Sequence, residues 1–81
     1  MVHELPSRFI LYRRDDCHLC DRALAVLADA RFPEFESVFI DEDDALEAAY
    51  GHRVPVLRDG VHDVELDWPF DAHAAAVLAA D

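Results

Sequence analysis

The chain is poor in cysteine and in positive charge, and it has no long hydrophobic run. Its 81 residues include two cysteines, too few for the dense disulfide frameworks that staple small secreted domains. Both lie in Cys17-His18-Leu19-Cys20, so a bond between them would close a very short segment and remove little loop entropy from the unfolded chain. Seven Lys and Arg stand against 18 Asp and Glu, a formal net charge of −11 with histidine neutral. That balance argues against nucleic acid or an anionic membrane as partner, because phosphates require a basic footprint. No stretch approaches the roughly 20 apolar residues that span a bilayer. The start, residues 1–6, lacks the basic-then-apolar layout of a secretory leader. A cytoplasmic, reducing location and a monomeric state are expected. Repeats, linkers and low-complexity tracts are also missing apart from the acidic run 41–44, which leaves a single domain over residues 1–81.

What is present is a strand-to-helix transition carrying the cysteine pair. Phe9-Ile10-Leu11-Tyr12 is a short apolar run of the kind expected for a strand covered on both faces. Over residues 19–30 the apolar positions Cys20, Ala23, Leu24, Leu27 and Ala30 recur at helical steps, and Phe32-Pro33 closes the helix. A second strand is expected over 36–40, followed by the acidic turn 41–44. A helix over 45–50 should then stop at Gly51 as a C′ residue. Val54-Pro55-Val56-Leu57 reads as a third strand, Asp59-Gly60 as a hairpin turn, and 61–66 as the returning strand. Residues 68–71 open a last alanine-rich helix ending near residue 80. The order β-α-β-α-β-β-α makes the first two strands parallel and the hairpin strands antiparallel, giving an α/β fold with a four-stranded mixed sheet and helices on both faces.

Cysteines at i and i+3 share one helix face. A thiol at a helix N-terminus meets the positive end of the dipole and free backbone N–H groups, which favour the thiolate. Cys17 lies at the mouth of the helix and Cys20 on its apolar stripe, so Cys17 is the expected attacking thiol and Cys20 the resolving one. A protonated His18 beside Cys17 would lower its pKa, whereas Asp15 and Asp16 oppose that effect and Arg13 and Arg14 support it. A metal site is the open alternative. The pair supplies two of the four ligands of a closed zinc site, and His3, His18, His52, His62 and His73 follow no second-pair spacing, although His52 lies close to Pro55 in sequence. Phe32, Phe35 and Phe39 read as core or core edge. Trp68 and Phe70 would either pack the last helix or wall the site.

The element order, with Cys-x-x-Cys after the first strand and Val54-Pro55 opening the third, resembles the thioredoxin fold in its short form. Cys17-His18-Leu19-Cys20-Asp21, Asp41-Glu42-Asp43 and Arg53-Val54-Pro55-Val56-Leu57 together resemble a family of short glutaredoxin-like proteins. The resemblance implies a thiol-disulfide oxidoreductase of cell redox homeostasis that reduces protein or glutathione mixed disulfides through Cys17 and Cys20. It implies that Pro55 is cis and that the Val54 backbone N–H and C=O are free to pair with an extended substrate. Arg14 takes the place of a glutathione-binding lysine, and Asp71 that of an aspartate that meets the γ-glutamyl ammonium. Residues 66–71 carry no paired glycines there. No tightly bound cofactor is expected, and glutathione is a candidate co-substrate. The other reading is a non-catalytic binding or adaptor module on the same fold, with metal bound through the cysteine pair as one variant of it.

Overall fold

The computed structural model describes residues 7–80; the readings that rest on His3 and on the leader region 1–6 lie outside the described residues. Seven elements follow in chain order: β1 (Phe9–Arg13), α1 (His18–Asp29), β2 (Phe35–Phe39), α2 (Asp44–Tyr50), β3 (Val56–Asp59), β4 (Val64–Asp67) and α3 (Ala72–Ala79). The strands form one sheet of order β2-β1-β3-β4. β1 pairs parallel with β2, and antiparallel with β3, which in turn pairs antiparallel with β4. This is the mixed sheet of the thioredoxin-like fold, with β1 and β3 at its centre.

Alternation along the strands separates two faces. Leu11 and Leu57 are directly opposite one another and point toward α1 and α3, where they join Ala23, Leu27, Phe70 and Ala75 in one buried cluster. Helical spacing puts Cys20, Ala23 and Leu27 on the buried stripe of α1. Phe32 and Phe35 pack at the margin of this core, Phe32 edge-on to both Phe9 and Phe35. The opposite face belongs to α2. Tyr12 stacks on Tyr50 with ring centroids 4.2 Å apart, and Arg14 reaches Glu47. Helices therefore cover both faces.

Several local expectations change. Phe39 is 49% exposed, with the Arg13 guanidinium 4.8 Å above its ring, and is no part of the core; it is the last residue of an edge strand. Gly51 is itself the C-cap of α2, at φ −54°, so left-handed freedom is not what it supplies. Space is the reason: a Cβ there would stand 2.5 Å from the Glu47 carbonyl oxygen. β3 begins after Pro55 because the Val54 N–H bonds back to the Tyr50 carbonyl at 3.0 Å, and proline has no N–H to offer a ladder. β4 begins at Val64 rather than Val61. The connecting loop wraps around Asp59, whose Oδ1 accepts from the Val61 and His62 amides at 2.9 and 3.2 Å, and a two-residue Asp-Gly turn does not form.

Candidate functional site

Strand directions decide what meets at each end of the sheet. β1 and β2 end where β3 begins and β4 ends. One end therefore gathers the loop 14–17, the turn 40–43, Val54 with Pro55, and residues 68–71. Cys17 is the N-cap of α1. Its backbone is extended (φ −119°, ψ 110°), its carbonyl accepts from the Asp21 amide at 3.1 Å, and its Sγ accepts from the Cys20 amide at 3.1 Å. That sulfur thus occupies the place where a serine or aspartate oxygen usually caps a helix. A negative charge on it gains both the N–H bond and the dipole.

Cys17 and Cys20 form a disulfide, with Cα atoms 5.2 Å apart. Exposure divides the pair as the helical stripe implies: Cys17 is half-buried, whereas Cys20 is 0% exposed. An incoming group can reach Cys17 alone. His18 is exposed on the first residue of α1 and Leu19 is 42% exposed, so the two residues between the cysteines both face outward.

Pro55 is buried and follows a cis peptide bond from Val54. The Val54 N–H is not free, contrary to expectation, because the turn that ends α2 consumes it in a 3.0 Å bond to the Tyr50 carbonyl. A second cis bond, Trp68–Pro69, precedes α3. Asp71 caps that helix, its Oδ1 accepting from the Ala74 amide at 2.8 Å. Phe70 lies in the core with Trp68 packed edge-on against it, 5.2 Å between centroids, so these aromatics fasten the last helix to the sheet.

The arginines behave differently from the local charge balance read in sequence. Arg14 donates to both Glu47 carboxylate oxygens, at 2.5 and 3.0 Å, and to the Gly51 carbonyl at 3.0 Å. The Glu47 hydrogen bond raises its pKa further. Alternation places Arg13 on the other face, 3.7 Å from Asp21. Arg53, in the turn before Pro55, is held between Glu65 and Asp67 at 2.7 Å each. Asp15 and Asp16 remain exposed at the mouth of α1, and Asp16 sits in the left-handed region at φ 53°. Among the described residues, no three His, Cys, Asp or Glu side chains come together as a metal site would require.

The opposite end of the sheet holds a feature the sequence did not announce. Asp59 is 1% exposed and takes a bidentate pair from Arg8, at 3.0 and 2.8 Å, with His62 Nδ1 at 2.9 Å. Hydrogen bonds from Arg8, then from His62 and the two amides, hold its carboxyl far below the usual range. It organises the β3–β4 loop away from the cysteines.

A disulfide at the mouth of a helix that follows a central strand, at the same end of the sheet as a buried cis-proline, defines a thioredoxin-fold protein with a redox-type cysteine pair. Residues 8–76 match the family model described as Glutaredoxin-like domain (DUF836), and the chain belongs to that glutaredoxin-like family. Among solved structures it is similar to the X-ray structure of protein XcR50 from X. campestris, at 62% identity and a TM-score of 0.82 over 90% of this chain and 97% of that one. The solution structure of the same target agrees at 60% identity and a TM-score of 0.82, covering 93% and 96%. Protein Ne2328 from Nitrosomonas europaea is similar at 30% identity and a TM-score of 0.74, covering 98% and 99%. No curated protein matches the chain.

Proposed function

We propose that the protein is a thiol-disulfide oxidoreductase that cycles between the Cys17–Cys20 disulfide and the dithiol, acting as a monomer in a reducing cytoplasm on protein or glutathione mixed disulfides. The observation that carries this reading is the asymmetry of the pair: a half-buried Cys17 that caps α1 with its sulfur, bonded to a Cys20 that solvent does not reach.

In the reduced protein the Cys20 amide and the α1 dipole favour the Cys17 thiolate. That thiolate attacks one sulfur of a substrate disulfide, forms a mixed disulfide and releases the first substrate thiolate. Cys20, one helical turn on, then attacks Cys17 Sγ and expels the second. Two electrons pass from the dithiol to the substrate. Pro55 and the Val54 carbonyl form the backbone shelf against which the substrate chain lies, and His18 and Asp71 stand at its margins. Arg14 holds α2 to the end of β1 through Glu47 and reaches a substrate only by giving up that pair.

Two single substitutions test the reading, each incubated with a disulfide-containing peptide and weighed after acid quench. Cys20→Ser should accumulate one peptide adduct per chain, because nothing resolves it, and Cys17→Ser should accumulate none. Equal labelling of both variants would remove the distinction between attacking and resolving thiols. No labelling of Cys20→Ser would leave the binding-module reading in its place.

A further inference from the structure

We propose that the cysteine pair selects disulfides carried on positively charged protein segments, an inference that rests on the oxidoreductase reading above and names its substrate class. The supporting observation is the excess of exposed carboxylates over available arginines around the half-buried Cys17, an excess that stands even though Arg14 also feels Asp41. The chain's seven basic residues are all arginines. Of those at the cysteine end, Arg14 is committed to Glu47 and the Gly51 carbonyl, Arg53 to Glu65 and Asp67, and Arg13 faces Asp21 while lying over Phe39. Arg22 lies 6.0 Å from the Trp68 ring, and His18 adds positive charge only when protonated.

Against these stand exposed carboxylates with no ion pair among the described residues. Asp15 and Asp16 directly precede Cys17, and Asp41, Glu42, Asp43 and Asp44 follow β2 at the same end of the sheet. The two groups are fastened together, since the Asp15 amide donates to Asp41 Oδ1 at 2.9 Å. Asp15, Asp41 and Glu42 also line an open hollow of about 510 Å³ whose apolar wall is Phe39. These side chains are not a binding site in themselves. They set the field through which a substrate must approach Cys17, and such a field raises the local concentration of cationic partners and lowers that of anionic ones. Oxidised glutathione, an anion, meets those carboxylates there and, among the described residues, one exposed arginine without an ion pair, Arg22.

The reaction is the exchange already described, run once. Reduced protein takes a peptide disulfide R–S–S–R′, forms Cys17–S–S–R with release of R′S⁻, and closes to the Cys17–Cys20 disulfide with release of RS⁻. The two thiol protons pass to solvent or to the leaving thiolates, and no further reductant is needed for a single turnover.

The test uses three disulfide-linked peptides that differ only in lysine, glutamine or glutamate flanking the cysteines. The rate at which each oxidises the reduced protein is read by acid quench and mass. Each rate is divided by the same peptide's rate with dithiothreitol, which removes differences in leaving-group reactivity. At an ionic strength of about 20 mM the lysine peptide should exceed the glutamate peptide by about tenfold, with glutamine between, and the ratio should collapse at about 0.5 M salt. Combining Asp15→Asn, Asp16→Asn and Asp41→Asn should shrink the ratio without slowing the glutamine peptide. Asparagine tolerates the left-handed backbone at residue 16, and its Oδ1 at 41 can still accept the Asp15 amide. The salt series on the unaltered protein gives an answer independent of how that variant folds. Equal normalised rates for the three peptides, or glutamate fastest, would overturn the charge preference while the oxidoreductase reading stood. Oxidation by none of the three, the neutral one included, would overturn both.

Discussion

Two leucines on α1, eight positions apart, should respond oppositely to truncation. Leu27 is 2% exposed and packs in the cluster of Leu11, Leu57, Phe70 and Ala75, whereas Leu19, between the cysteines, is 42% exposed. Leu27→Ala removes three buried carbons at about 0.8 kcal/mol each, about 2.4 kcal/mol in transfer alone. The cavity left behind brings the loss to about 3–4 kcal/mol. A domain of 81 residues has a total stability of about 4–12 kcal/mol, so the variant should sit near the edge of folding. With a urea slope of about 1 kcal/mol/M for a chain this short, the midpoint should fall by about 3 M. Leu19→Ala should move it by no more than about 0.5 M. Both proteins should be unfolded in the oxidised state, so that the Cys17–Cys20 bond constrains each alike. A Leu27→Ala midpoint within about 0.5 M of wild type, or a Leu19→Ala loss of equal size, would refute the packing of α1 on the sheet and with it the burial of Cys20.

Other consequences concern the charged groups. Because Arg8, His62 and two amides lower the Asp59 carboxyl pKa, the stability it contributes is present above its ordinary value of 3.8 and drains as pH falls toward the folded value. Asp59→Asn should therefore lower the urea midpoint at pH 7 and flatten the acid limb of the stability profile; an equal loss at pH 7 and pH 2 would contradict this. Burial, followed by the 2.7 Å hydrogen bond to Glu65, pushes the Tyr50 hydroxyl up to about 12. A raised folded pKa favours the fold below the ordinary value of 10.0 and withdraws that support as pH climbs to about 12. Phenolate absorbance should show a late-titrating tyrosine that moves earlier in Glu65→Gln, and an unchanged titration would break the assigned contact.

The element order and the position of the cysteine pair were legible because both are local signals. The 3.6-residue recurrence of Cys20, Ala23 and Leu27 marks the buried face of α1, and Phe9 to Tyr12 reads as a central strand from its unbroken apolar run. Pro55 was legible as a cis residue only through the family resemblance; nothing in Val54-Pro55 itself specifies the isomer. Partners chosen across the fold could not be read. Arg14 lies next to Asp15 and Asp16 in sequence yet pairs with Glu47, because strand alternation turns it to the α2 face. The same holds for Asp59, where Asp-Gly suggested a tight turn and the carboxylate instead takes Arg8, 51 positions away. Phe39 looked like core or core edge by type and is half exposed because β2 is an edge strand. The Val54 amide was expected to be free, and the short helix before it claims that hydrogen.

A redox titration tests the central claim most directly. The purified protein would be equilibrated in glutathione buffers of stepped potential, acid-quenched, alkylated and weighed. A working dithiol pair should take two alkyl labels when reduced and none as the Cys17–Cys20 disulfide, with a midpoint between about −270 and −200 mV. Thiols that stay reduced across the whole range, or a pair that retains a bound metal and never closes, would contradict the account and leave a binding module on this fold.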